Sequence, residues 1–424
     1  MNLIKTSVLN GVAVIVRMLA MLGINKILAL YVGPGGYAAF GQFQNFISLI
    51  TTLIGGAFST GVTKYTAEYA GDSESQRAVW RTAGSLSIVV SVVVALVLYF
   101  SSKFLAGSLL NDRGLSGVFV WFAVGLVFLI FNTFLMAVLN GLKEIATFVL
   151  CNIAGSVLSV FITVLMVHYS GLKGALIALA TYQSVAFFST VFLCKRLGFF
   201  KVSNFFGRPD SGVVKNLIKY AVMAVVSAAC LPVTLMLVRT EITETLGWHA
   251  AGYWEAMWRL SAAYLMMATT TLSIYYLPRL SEIKSYSSLM AEIFSGYKVI
   301  LPLTVLAGVL MYLLRDTIVL ILFSADFEPV TGLFMWQLIG DSLKIGSWII
   351  AYVMLGKAMF KAFIFTEIFG SVLFYLLSIW LVRTVGLEGV VMAYAINYAI
   401  YWILVWWVVR FSLSRMKLTN EVSS

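Results

Sequence analysis

Seven ionisable residues stand inside stretches that are otherwise apolar: Arg17, Lys26, Glu255, Arg259, Asp341, Lys344 and Glu367. In hydrocarbon each costs about 2.5 to 3.5 kcal/mol on insertion scales, so each needs a partner, a wet cavity or a task. Glu255 and Arg259 are four apart, and Asp341 and Lys344 three apart, the spacings at which a helix brings side chains together. Both pairs can therefore be local ion pairs. Arg17 and Lys26 have no acid in their own run. Nine residues of helix, at about 100° each, put them on nearly opposite faces, so both line one cavity only if the helix bends, with Gly23 the candidate hinge. Snorkelling to the interface accounts for Lys26 more readily than for Arg17 at mid-run. Four bases against three acids, with Lys64 and Arg279 as further cations at the ends of two runs, suit an anionic cargo such as phosphate or an acidic sugar. A pump for lipophilic cations is expected to show the opposite excess.

Other chemistries are poorly supplied. Cys151, Cys194 and Cys230 have no CxxC spacing, and the two histidines, His168 and His249, lie far apart, so neither a metal centre nor a Ser/His/Asp site is expected. Asp341 and Glu367 are the acids placed to meet a cation. No cofactor is expected beyond a coupling proton or sodium ion, for which Asp341, Glu255 and Glu367 are in place. Without a Gly-rich phosphate loop, ATP hydrolysis by this chain is not expected either.

The elements that position these residues follow from composition. With 61% hydrophobic and 11% charged residues and a mean hydropathy of +0.95, the chain has too little polar surface to coat a soluble globule. Its apolar runs are continuous over twenty or more residues, which selects helices over a barrel. Spans are expected near 8–32, 38–62, 82–105, 116–140, 146–168 and 174–194, then near 217–239, 253–277, 298–314, 331–355, 360–382 and 386–410, with Ile318 to Phe323 a possible half-buried segment. This is an all-α integral membrane protein with 12 expected transmembrane helices.

The chain also repeats itself. Gly155-Ser156-Val157-Leu158 and Gly171-Leu172-Lys173-Gly174 return 215 positions later as Gly370-Ser371-Val372-Leu373 and Gly386-Leu387-Glu388-Gly389, within 13 identities over the 40 positions from Gly141 to Ala180. Gly36-Tyr37 echoes in Gly252-Tyr253, one position out of register. The reading is two six-helix lobes in tandem, residues 1–200 and 217–424, joined by a basic linker at 201–216 within the longest loop, Lys195 to Lys219. An even number of spans per lobe makes the repeat parallel, about an axis along the membrane normal. Nineteen of the 29 basic residues fall on the face that carries both termini and six on the other, with four inside spans, so both termini are expected in the cytoplasm. That bias accounts for the net charge of +11 without nucleic acid. The first run lacks a small-residue cleavage site and is interrupted by Arg17, so it reads as a retained helix and not a signal peptide. Trp254, Trp258, Trp402, Trp406 and Trp407 read as interfacial belt or packing in preference to sugar platforms.

Several of these motifs form a recognisable set: Val32-Gly33-Pro34-Gly35-Gly36, Gly61-Val62-Thr63-Lys64-Tyr65, Tyr276-Leu277-Pro278-Arg279-Leu280, and Trp336-Gln337-Leu338-Ile339-Gly340-Asp341-Ser342-Leu343-Lys344. Through them the whole chain resembles the Wzx-type flippases of lipid-linked oligosaccharides. These serve O-antigen and enterobacterial common antigen (lipid III) assembly, in the polysaccharide branch of the multidrug/oligosaccharidyl-lipid/polysaccharide exporter superfamily. The resemblance implies two lobes around a central cavity, alternating access in a bacterial inner membrane, and an undecaprenyl-diphosphate-linked glycan as cargo, with a glycan polymerase and a chain-length regulator as possible partners. It brings Arg17, Lys26, Lys64, Arg259 and Arg279 forward as substrate contacts, because cationic side chains replace lost phosphate hydration. One departure stands out: Gln44 occupies a position where relatives carry arginine, while Arg259 stands where they lack a base. The phosphate-facing cation is accordingly expected to have changed lobes. The competing readings are an ion-coupled drug or cation antiporter of the same superfamily, in which an acid dominates function, and an integral-membrane glycan polymerase or transferase, which usually needs a larger outer loop than any expected here.

Overall fold

The computed structural model describes residues 3–283 and 285–422. Lys284, counted above in the charge bias, lies outside the described residues, as do the side chains of Lys5, Lys215, Lys219, Arg415 and Lys417. Among the described residues every regular element is helical. Helix α1 spans Leu3–Tyr31; α2 (Gly33–Thr51) passes through a π-type turn, Thr52–Gly56, into α3 (Ala57–Glu68). Helices α4 (Ser73–Leu109), α5 (Ser116–Gly141), α6 (Ile145–Cys194) and α7 (Ser211–Leu246) follow. Helix α8 (Trp248–Thr271) passes through a second π-type turn, Leu272–Tyr276, into α9 (Leu277–Glu282). The chain ends with α10 (Tyr286–Leu313), α11 (Arg315–Leu322), α12 (Phe334–Gly356), α13 (Phe360–Val385) and α14 (Glu388–Val422).

All twelve expected spans fall on these helices, and the doubtful stretch near Ile318 is helical as well. Among the described residues nine helices are long and apolar enough to cross a membrane. Those nine cover ten of the expected spans, because Ile145–Cys194 holds two; α7 and the α8–α9 run are not among them. This is a multi-pass membrane protein.

Two compact units divide the chain, Met1–Val233 and Thr234–Ser424. Within the first, α5 is the central helix, packed on α3, α4 and α6; within the second, α12 takes that place, packed on α8, α10 and α14. Burial agrees: 67% of the apolar window of Arg113–Gly141 and 61% of that of Ala325–Gly356 is inside the protein, against 22% for Phe360–Val385. The outer helices keep large apolar side chains such as Phe100, Phe161, Leu303 and Trp380 exposed, faces that acyl chains solvate.

Local geometry repeats with the sequence period. Gly171 (φ +51°) and Gly386 (φ +87°) break the chain between consecutive helical runs in a backbone region that other residues rarely enter. Three residues on, a Cβ on Gly174 would overlap the carbonyl oxygen of Met166, and one on Gly389 that of Leu381, itself 215 positions after Met166. Lys143 and Ala358, also 215 apart, both hold positive φ.

The segment after α6 is shorter than expected and firmly held. Helix α7 starts at Ser211, where the Asp210 carboxylate accepts the Val213 N–H at 2.8 Å and caps the first turn. Lys215 and Lys219 therefore belong to a helix, not to the loop. Arg81 Nε donates to the Ser203 carbonyl at 3.0 Å, Ser85 Oγ to the Gly207 carbonyl at 2.9 Å, and the Asp210 N–H to Thr82 Oγ1 at 3.0 Å. Phe205 is fully buried against Trp80, Phe131 and Phe134, and its carbonyl lies where a Cβ on Gly84 would be.

Candidate functional site

Three helix faces meet inside the second unit. On α12, Gln337, Asp341, Lys344 and Trp348 recur at helical spacing; on α8, Trp258, Ser261 and Tyr264 do so; on α14, Tyr394, Tyr398 and Tyr401 do so. Asp341 is fully buried and its two oxygens are surrounded by donors. Ser261 Oγ lies 2.6 Å from Oδ1 and 2.7 Å from Oδ2, Tyr264 OH donates to Oδ2 at 2.8 Å, Tyr394 OH to Oδ1 at 2.9 Å, and Gln337 Nε2 to Oδ1 at 3.3 Å. Ser261, Tyr264, Tyr394 and Gln337 can all donate to this carboxylate, so its neighbours are able to satisfy the ionised form, which accepts without donating.

Lys344 is held differently. Its ammonium stands 4.9 Å from the ring centroid of Trp348, 5.5 Å from Trp258, 5.6 Å from Tyr398 and 5.9 Å from Tyr394. The local ion pair open to Asp341 and Lys344 is not formed: hydroxyls take the carboxylate and aromatic faces take the cation. Glu367, on α13, accepts from Tyr401 OH at 2.9 Å.

The other spacing does make its ion pair, and gains a third member. Arg259 Nε meets Glu255 Oε1 at 2.6 Å, and Arg239 Nη2 engages Glu255 Oε2. Arg239 is 1% exposed, Glu255 4% and Arg259 8%. The guanidinium of Arg239 also lies over the Trp254 ring, 5.4 Å from its centroid. Arg239 is the last residue of the span expected near 217–239 and one of the six bases counted on the outer face; α7 instead continues to Leu246. The signal was present in Arg239-Thr240-Glu241, since Glu241 too is buried and accepts from Arg383 Nε of α13 at 2.6 Å.

The remaining cations are dispersed. Arg17 is exposed and Lys26 half-buried on α1, which runs unbroken through Gly23, so the two keep the nearly opposite faces that nine residues dictate. Lys64 is exposed on α3, 3.6 Å from Glu68 and 4.8 Å from the Tyr65 ring centroid. Arg279 is exposed on α9, 3.6 Å from Glu292. Gln44, the position of the sequence departure, is exposed on α2. What this arrangement offers chemically is an ionic cluster with more positive than negative charge at Arg239, Glu255 and Arg259, and a separate polar cluster around Asp341.

Known proteins match this chain over nearly its whole length. It is 28% identical over 404 residues to the Lipid III flippase of Escherichia coli (strain K12), covering 95% of this chain and 97% of that protein, and the Lipid III flippase of Shigella flexneri matches to the same extent. Among solved structures, a multidrug resistance MATE family transporter of the MOP superfamily in its inward-facing conformation superposes with a TM-score of 0.78, covering 96% of this chain and 99% of that one at 15% identity. The lipid II flippase MurJ in an inward closed conformation gives 0.70, covering 96% and 87% at 16% identity. The fold is thus that of the MOP transporters. The family described as "Polysaccharide biosynthesis protein" matches residues 3–284, more than half of the chain, and this protein belongs to it.

Proposed function

We infer that this chain is a flippase, moving an undecaprenyl-diphosphate-linked oligosaccharide from the cytoplasmic to the periplasmic leaflet of a bacterial inner membrane. The observation that carries this reading is the end-to-end match to two proteins named Lipid III flippase. The cargo is the lipid III unit of enterobacterial common antigen or an O-antigen unit of similar charge. Twelve spans in two six-helix lobes, both termini in the cytoplasm and alternating access complete the reading, which is transport without chemical change to the glycan.

Arg259 is the leading headgroup contact in this reading, with Arg17, Lys26, Lys64 and Arg279 along the route. Arg259 is a buried guanidinium tied to Glu255 through Nε, and a guanidinium is the side-chain group that grips a phosphate in bidentate fashion. Asp341, held among hydroxyls, is the first choice for coupling to a proton or sodium gradient, with Glu367 and Glu255 behind it. The same carboxylate favours the second reading, a cation antiporter, in which it would bind cargo.

Complementation separates the two. In a strain lacking its lipid III and O-antigen flippases, the wild-type chain restores surface glycan, Arg259→Ala at matched membrane level restores less than about a tenth of it, and Asp341→Asn makes transport insensitive to the ion gradient. No glycan despite good expression, with ion-driven cation uptake instead, would move the assignment to the antiporter.

A further inference from the structure

Among the described residues the Lys344 ammonium reaches no carboxylate oxygen and no other hydrogen-bond acceptor, and Asp341 and Glu367 act on it only at longer range. Four ring faces surround it instead, those of Trp348, Trp258, Tyr398 and Tyr394, with centroids 4.9 to 5.9 Å away. Such faces are the negative side of an aromatic quadrupole and attract cations most strongly where water is kept off. The rings hold their places without the lysine. Trp258 meets Tyr394 edge-on at 5.5 Å between centroids, and Tyr394 meets Tyr398 edge-on at 4.9 Å. Tyr394 is further fixed by its bond to Asp341 Oδ1 and by Gly340, where an added Cβ would overlap its ring. Lys344, Trp258, Trp348 and Tyr398 are each half-buried, so the cage is open on one side. Two acids and four ring faces around one base favour a cation at this place and oppose a phosphate.

We propose that α8, α12 and α14 build a binding site for an organic ammonium ion, and that the side chain of Lys344 is its tethered occupant. Lys344 is then a specificity-determining residue: it fills a site suited to organic cations and so denies it to free ones. The site is read from the geometry alone. Its consequence for cargo rests on the flippase reading above, in which a chain that shares its fold with a multidrug resistance transporter must admit an anionic headgroup and exclude cations. A lysine that merely fills space among rings would leave no such site behind when removed.

Lys344→Ala keeps the β-carbon and removes the atoms of n-propylammonium, which makes that ion the probe. The measurement is the rise in thermal midpoint of the full-length protein in detergent as n-propylammonium chloride is added, with potassium chloride and propan-1-ol as references. Lys344→Ala should half-saturate at a concentration at least about tenfold below that of wild type, and should not respond to the alcohol. Lys344→Arg keeps a tethered cation and should exclude the probe as wild type does. Lys344→Ala/Trp348→Leu lacks the nearest ring and should fall back to within about threefold of wild type. If Lys344→Ala is not recovered alone, it is purified in n-propylammonium chloride and, separately, in propan-1-ol. Recovery with the ion only is the expected rescue; recovery with both or with neither overturns the proposal. Wild-type protein that binds the ion as tightly as Lys344→Ala, or a Lys344→Ala protein indifferent to it, also overturns the proposal. The flippase reading is judged separately, by surface glycan in the complementation strain: a gained ammonium site in a chain that restores no glycan supports the cage and removes the flippase.

Discussion

Asp341 shows what a single buried group asks of its neighbours. Ser261, Tyr264, Tyr394 and Gln337 all direct donors at it. Asp341→Asn has nearly the same volume, yet it sets an NH2 against donors, and stability should fall by about 1–3 kcal/mol, read as a lower thermal midpoint of the purified protein. An unchanged midpoint would mean that the carboxylate is not needed as an acceptor. Lys344→Met, which keeps the bulk among the rings and removes only the charge, should cost about 0.5–2 kcal/mol by the same measurement. At this scale the sequence was half legible. The acids and bases within apolar runs were visible, and the Glu255–Arg259 pair followed from spacing. The partners of Asp341 were not, because Ser261 and Tyr394 lie 80 and 53 positions away and nothing in linear order joins them. Arg239 was missed for a related reason: hydropathy counts each charge alone, whereas the membrane meets Arg239 and Glu255 as a pair.

Helices carry the repeat. The shared glycine words marked where one run must turn into the next, and Gly171 and Gly386 do that with the same left-handed backbone. The deeper reason for the words is the close approach at their far end, where Gly174 and Gly389 each meet a carbonyl eight residues back. Gly174→Ala and Gly389→Ala should both lower the yield of folded protein and cost about 2 kcal/mol or more, as strain that neither site can relax. Gly117→Ala on α5, with nothing within 4 Å of the added Cβ, should be neutral or slightly stabilising. Fluorescence-detected size exclusion with heating ranks the three. What spacing could not supply was the pair of π-type turns, Thr52–Gly56 and Leu272–Tyr276, since their residues, Thr-Leu-Ile-Gly-Gly and Leu-Ser-Ile-Tyr-Tyr, match only at the central isoleucine. Such turns answer to tertiary packing.

For the whole molecule, the open quantity is the number of crossings. Helices α7 and α8 carry Arg239, Glu241, Glu255 and Arg259 and are not among the nine that pass by length and apolarity, among the described residues. Because Arg239 and Arg259 are paired with Glu255, and Glu241 with Arg383, both helices are expected to cross. An alkaline phosphatase fusion placed after Gly247 should then be active and one placed after Asp210 inactive, the pattern that twelve spans and cytoplasmic termini require. Equal activity at the two sites would remove a pair of crossings from the topology.

The binding of residues 203–210 to α4 has a practical corollary for anyone tagging this protein. A joint between two halves is the customary place to insert a fluorescent domain or a protease site. Here the segment expected from the sequence to be that joint lies within the first unit and is keyed into it, with the Phe205 backbone seated against Gly84 and the Phe205 ring among Trp80, Phe131 and Phe134. Cargo domains inserted there would pry out a buried aromatic side chain, while the exposed turn at Gly71, one residue ahead of the α4 cap at Asp72, offers a tolerant address on a loop with nothing to unseat.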